Sequence, residues 1–214
     1  MNYKELIVKS GIKMLNSGMT VETWGNISAR DPRNDRVYLT PSGMDYSKIN
    51  EADVVVCDLD GNILEGHRKP TIEKDLHLEI YKKRKDVNAI VHTHPIYSTV
   101  FSCMGEDIPP IIDEAAQVLM GTCRRADYAL PGTMELAENC VKALGDTAMS
   151  CLLQSHGAVC VGKDMDTAFK VARVLEMTAE IYYRIRATGG SPIPILEENI
   201  EYMIDFMKNK YGQR

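Results

Sequence analysis

No stretch of this 214-residue chain approaches the run of about 20 apolar residues that crosses a bilayer. Its opening Met-Asn-Tyr-Lys-Glu also lacks the apolar segment of a secretion signal. Both absences lead to the expectation of a cytoplasmic protein with no membrane partner. Basic residues are not in excess either: the formal net charge is −5, with both signs interspersed, so the electrostatic footprint of nucleic-acid binding is missing. No Gly-x-Gly-x-x-Gly occurs, and no Gly-x-x-x-x-Gly-Lys followed by Ser or Thr, which removes local support for a dinucleotide or nucleoside triphosphate site. The six cysteines form no Cys-x-x-Cys. Scattered through apolar segments, they read as reduced, mostly buried thiols rather than a disulfide frame or a zinc ribbon. No repeat, low-complexity tract or linker composition divides the chain, and residues 1–214 read as a single domain with enough apolar residues for a well-buried core.

What is present centres on Ala89 to Pro95, Ala-Ile-Val-His-Thr-His-Pro. Ile90 and Val91 favour a strand. If that strand continues through Thr93, the period of two puts His92 and His94 on one face, and Pro95, unable to donate to a ladder, ends it there. Around this strand the pattern predicts an amphipathic helix over residues 2–16. A hairpin follows, from Trp24–Arg30 back through Val37–Leu39, and a second one from Val54–Cys57 through Asp60-Gly61 into Ile63-Leu64. A helix opens near Pro70-Thr71 with Ile72, Leu76, Ile80 and Tyr81 along its stripe, placing Glu73 in its first turn. After Pro95 come a helix, a connection containing Asp113 and Glu114, and a strand over 123–130. Pro131-Gly132-Thr133 then opens a helix to Leu144. Buried strands over 149–154 and 158–162 flank Ser155-His156-Gly157, and helices over 164–187 and 196–210 close the chain. Strands grouped as hairpins and interrupted by helices predict a largely antiparallel or mixed sheet covered by helices on both faces.

His156 also falls at a strand end, with a glycine beside it, and completes a set with His92 and His94. Three neutral imidazoles leave one position open on a tetrahedral zinc, the arrangement of a catalytic site. The alternative for each is a polar residue near a strand end. His77, one turn after Glu73, reads as a helix histidine bonded to a neighbour, and His67 as a solvated loop residue. Glu73 is either a base beside the metal or a first-turn carboxylate stabilised by the helix dipole. Small-residue turns at Gly25-Asn26 and Ser42-Gly43, with Thr71 at a helix start, read as plain loops or as anion-binding turns.

Together, Gly25-Asn26-Ile27-Ser28, Thr40-Pro41-Ser42-Gly43, Glu73, His92-Thr93-His94 and His156-Gly157 resemble, in order and spacing, the zinc-dependent class II aldolase family, whose relatives include sugar-phosphate 4-epimerases and dehydratases. The resemblance covers nearly the whole chain. It implies an α/β fold, a three-layer αβα sandwich with a mostly antiparallel central sheet, assembled as a homotetramer with sites at subunit interfaces. It further implies one divalent zinc ion per subunit on His92, His94, His156 and Glu73. Glu73 would carry the proton, Gly25, Asn26, Ser42, Gly43, Thr71 and Ile72 would take the substrate phosphate, and Tyr211 would reach a neighbour's site. The expected reaction is reversible cleavage of a fuculose-1-phosphate-like ketose 1-phosphate into dihydroxyacetone phosphate and a short aldehyde. Glu73 favours this over a 4-epimerase, which carries Asp there; a non-catalytic zinc-binding sugar sensor would not need Glu73. Two departures bear on the substrate: the family's fuculose-phosphate aldolases have two serines where Thr71-Ile72 stand, and a tyrosine that assists proton transfer where Asp113 stands.

Overall fold

The computed structural model describes residues 1–210. Its eight strands are β1 (Asn26–Asp31), β2 (Arg36–Leu39), β3 (Val55–Cys57), β4 (Ile63–Glu65), β5 (Ala89–Thr93), β6 (Arg124–Ala126), β7 (Ser150–Leu153) and β8 (Gly157–Gly162). They form one sheet in the order β4-β3-β2-β1-β5-β8-β7-β6. Every neighbouring pair is antiparallel except β6 with β7. The mostly antiparallel α/β architecture is therefore the one that the hairpin grouping predicts.

The seven helices are α1 (Tyr3–Asn16), α2 (Lys74–Lys83), α3 (Ile96–Met104), α4 (Asp113–Leu119), α5 (Met134–Leu144), α6 (Met165–Ala187) and α7 (Glu197–Asn209). Side chains alternate across the sheet, so one face of β5 gives Ala89 and Val91 to a core shared with α1, α3, α4 and α6. The other face gives Ile90 to a second core built with α2 and α5. The three-layer sandwich follows from this two-sided burial. Side-chain caps fix the helix starts where the sequence supplies them: Asn2 accepts from Glu5 N–H, Thr133 from Leu136 N–H and Asp164 from Thr167 N–H.

Three local expectations need correction. Glu73 is the residue before α2 rather than part of its first turn, because its N–H is taken by the Thr71 hydroxyl at 3.3 Å and its carboxylate, which makes no capping bond, turns away from the helix. The connection containing Asp113 and Glu114 is itself helical: α4 is too short to show a full apolar period, yet Ala115, Ala116 and Leu119 are buried and α4 packs on α6 and α7. The strand expected over 123–130 is only Arg124–Ala126, an edge strand lying parallel to β7. Of the cysteines, five are buried and Cys103 is exposed, all as free thiols. Among the described residues no helix is long and apolar enough to cross a membrane.

Candidate metal centre and substrate cleft

Strand β5 lies between β1 and β8 and brings His92, buried within the sheet, and His94, just past its end, to the same side. His156 arrives from the tight turn between β7 and β8, where Ser155 takes a left-handed backbone (φ 56°). Glycine at 157 is a steric requirement: a Cβ there would stand 2.4 Å from the Thr93 carbonyl and 2.8 Å from the His94 ring. Gly25 combines the left-handed conformation (φ 73°) with a similarly close approach, 2.6 Å from a Cβ to the His92 carbonyl.

The nitrogens of His92, His94 and His156 converge, with all three ligand atoms within 4.8 Å of one another. His92 Nδ1 lies 3.0 Å from the Ala158 carbonyl, which can only accept; Nδ1 therefore carries the hydrogen and Nε2 presents its lone pair inward. That Nε2 is 3.1 Å from His94 Nε2. Two nitrogens on one tetrahedral zinc, each at about 2.0–2.1 Å, stand about 3.3 Å apart, so the pair fits a shared ion. Glu73 places Oε2 3.2 Å from His92 Nε2 and Oε1 3.6 Å from His156 Nε2. Oε1 is buried without a hydrogen-bond partner. An ionised carboxylate with an orphaned oxygen beside three inward nitrogens is a donor set suited to a divalent cation.

Electrostatics keep two of the three rings neutral. Burial and then the charge of His92 depress the pKa of His94 to about 3, and the same causes in the same order hold His156 to about 4. Both rings are thereby neutral ligands. Burial also disfavours a proton on His92, but the charge and hydrogen bond of Glu73 outweigh it and raise that pKa. Burial opposes the Glu73 charge in turn, yet His92, His156 and the Asn26 amide hold the carboxyl well below the usual range.

In front of this cluster lies a cleft of about 510 Å³ lined by Gly25, Asn26, Ser42, Gly43, Thr71, Ile72, Glu73, His94 and His156, all expected from sequence. Thr23, Trp24, Pro41, Pro131 and Ser155 complete it. These were missed because Trp24 and Pro131 read as punctuation of a hairpin and a helix; the only local hint for Ser155 was its place beside His156. Among the described residues no Lys or Arg lines it. The anion-binding turns are partly committed elsewhere: Ser42 N–H donates to Lys69 O and Thr71 N–H to Thr40 O. Among the described residues the backbone N–H groups of Gly25, Gly43 and Ile72 have no acceptor, and the Ser42 and Thr71 hydroxyls add to them. Asn26 is not a free amide, since its Nδ2 donates to Glu73 Oε2 at 2.8 Å and its Oδ1 faces His77 Nε2 at 2.5 Å. His77 is a fully buried helix histidine bonded to neighbours, and His67 is exposed.

Two expected site residues are not among the described residues that line the cleft. Asp113 is exposed at the start of α4 and does not line it. Tyr211 lies outside the described residues.

The family profile described as Class II Aldolase and Adducin N-terminal domain matches residues 5–183. The chain is 36% identical over 211 residues to a 5-deoxy-D-ribulose 1-phosphate aldolase of Bacillus thuringiensis serovar kurstaki, covering 99% of this chain and 97% of that one. It is 41% identical over 165 residues to an L-fuculose phosphate aldolase of Methanococcus maripaludis, covering 77% and 87%. A solved L-fuculose 1-phosphate aldolase superposes with a TM-score of 0.91 at 35% identity, over 96% of each chain.

Proposed function

Since the chain belongs to the class II aldolase family, we propose that it cleaves a ketose 1-phosphate reversibly into dihydroxyacetone phosphate and a short aldehyde, using one zinc ion on His92, His94 and His156. The observation that carries this reading is the orphaned Glu73 Oε1 beside three converging imidazoles at the floor of an open cleft. A divalent ion bound there supplies Lewis-acid stabilisation of the negative charge that develops on the ketose as the carbon–carbon bond breaks.

The remaining work falls to the chain. The phosphate is held by the free N–H groups of Gly25, Gly43 and Ile72 with the hydroxyls of Ser42 and Thr71, near the positive end of the α2 dipole. Asn26 has one amide hydrogen left for it. Ile72 contributes backbone only, which weakens the phosphate site by one hydroxyl relative to a serine. The phosphate anchors the three-carbon end, leaving the carbon next to the carbonyl within reach of Glu73. In synthesis the ionised Glu73 removes a proton from that carbon; cleavage is the reverse, with Glu73 delivering to that carbon a proton it has first taken up. A second group must take the hydroxyl proton at the aldehyde end. We assign this to a homotetramer interface, where Tyr211 and Asp113 approach a neighbour's cleft: Asp113 does not line the cleft of its own chain, and the family resemblance sends Tyr211 to a neighbour's site. The apolar surfaces of Trp24, Ile72 and Pro131 at the rim suit a short deoxygenated aldehyde. The names of the relatives put 5-deoxy-ribulose 1-phosphate and L-fuculose 1-phosphate first on the substrate panel. A 4-epimerase or dehydratase would return no dihydroxyacetone phosphate, and a zinc-binding sensor would turn nothing over. Product analysis of the zinc-loaded protein on that panel decides among them.

A further inference from the structure

Behind Glu73 runs a file of buried polar groups of which the proposed chemistry uses only Asn26. Asn26 Nδ2 is 2.8 Å from Glu73 Oε2, and His77 Nε2 is 2.5 Å from Asn26 Oδ1. Ser28 Oγ is 2.6 Å from His77 Nδ1 and 2.8 Å from the Tyr81 hydroxyl. Ser28, His77 and Tyr81 are fully buried, and Asn26 and Glu73 nearly so. Strand β1 supplies Asn26 and Ser28, two residues apart on one face. Helix α2 supplies His77 and Tyr81, four apart on one stripe. The two periodicities match, so the file spans the strand–helix interface without interruption.

The hydrogen bonds in this file have one permitted direction while Glu73 is ionised. A carboxylate accepts only, so the Asn26 NH₂ faces it and Oδ1 faces His77. Oδ1 also accepts only, so His77 carries its hydrogen on Nε2 and leaves Nδ1 as an acceptor. Ser28 then donates to Nδ1, and Tyr81 donates to Ser28. Each group donates towards Glu73. Reversal would require flipping an amide and changing the tautomer of a ring that has no exposed surface.

We infer that His77 is a positioning residue: acting through Asn26, it fixes the Glu73 carboxylate with Oε2 as a committed acceptor and Oε1, which has no partner of its own, as the oxygen that meets the substrate. This rests on the reading of Glu73 as the proton carrier. The ring has no exposed surface and both its nitrogens are engaged, Nε2 by Asn26 Oδ1 and Nδ1 by Ser28 Oγ, which fixes its single donor and single acceptor.

The test has an arm independent of turnover. In the zinc-loaded protein with ¹⁵N-labelled histidine, NMR should find His77 as the Nε2–H tautomer at neutral pH; an Nδ1–H tautomer or an imidazolium overturns the file. The kinetic arm uses His77→Leu, expected to lower kcat about tenfold to a hundredfold, with KM and zinc content unchanged. His77→Gln, which keeps a donor towards Asn26, should recover most of the loss. Combined with Glu73→Gln, His77→Leu should cost nothing further, because the residue it positions is gone. Wild-type kcat in a folded, zinc-loaded His77→Leu protein, or fully additive losses, overturns the inference. If His77→Leu does not fold, the tautomer still decides. Undiminished turnover in Glu73→Gln alone refutes the proton-carrier reading, whereas the tautomer reports on the file regardless.

Discussion

Each of the central side chains has a physical reason for its state, and each state can be tested. Removing one imidazole from a three-nitrogen set leaves too few ligands to hold a divalent ion, so His156→Ala should lose both metal and turnover while its circular dichroism stays that of the parent; elemental analysis measures the first. Glu73→Gln keeps the volume and removes the base, and kcat should fall about a hundredfold or more with zinc largely retained. His77 gives a pH signature of stability. Its folded pKa is about 3 against an ordinary 6.5. Between those values the unfolded chain binds a proton that the folded chain does not. This contribution is therefore complete above about pH 6.5, declines as pH falls through the window and levels off below about 3. Urea unfolding between pH 4 and 6 should show a slope shallower by up to about 1.4 kcal/mol per pH unit in His77→Gln, provided that variant stays folded. At this scale the sequence was informative about type but not about partners. His92, His94 and His156 stood out by residue chemistry and Glu73 only through the family resemblance, whereas the link from Asn26 through His77 joins residues 51 apart, a pairing that spacing along the chain cannot reveal.

Among the elements, those with a full period were legible and the short ones were not. The β-formers Ile90 and Val91 with the stop at Pro95 announced β5, and the long apolar stripe announced α6. Helix α4 offers only seven residues, too few for its stripe to repeat, and β6 is an edge strand of three whose apolar neighbours mimic a longer one. The start of α2 was misplaced because Pro70-Thr71 is ordinary helix punctuation, while the Thr71 hydroxyl delays the helix until Lys74 and frees Glu73 to turn into the site. The β7–β8 turn carries the sharpest prediction at this scale. In Gly157→Ala the added carbon must push either the end of β5 or the His94 ring, so zinc affinity should drop about tenfold or more, measured by competition with a chelator, in a protein that still folds.

For the whole molecule, two helix layers on a mostly antiparallel sheet place the cluster at the strand ends, where a cleft can open without breaching either core. That architecture was readable from the grouping of hairpins. What one chain cannot encode visibly is which surface meets a neighbour: Asp113 and Tyr211 stood out only through the family resemblance. Deleting residues 211–214 should depress kcat much more than stability, and mixing that truncation with His92→Ala protein should restore activity, since an intact tail on a zinc-free subunit can serve a zinc-loaded neighbour. A fully active monomer by light scattering removes this shared-site arrangement. The central claim, carbon–carbon cleavage at the cluster of His92, His94, His156 and Glu73, is tested most directly by quantifying products after the zinc-loaded protein meets 5-deoxy-ribulose 1-phosphate and L-fuculose 1-phosphate. The account predicts dihydroxyacetone phosphate and aldehyde in equal amounts from at least one of them, with no product after chelation or in His156→Ala. Recovery of an isomeric sugar phosphate, or of unchanged substrate from both, would contradict it.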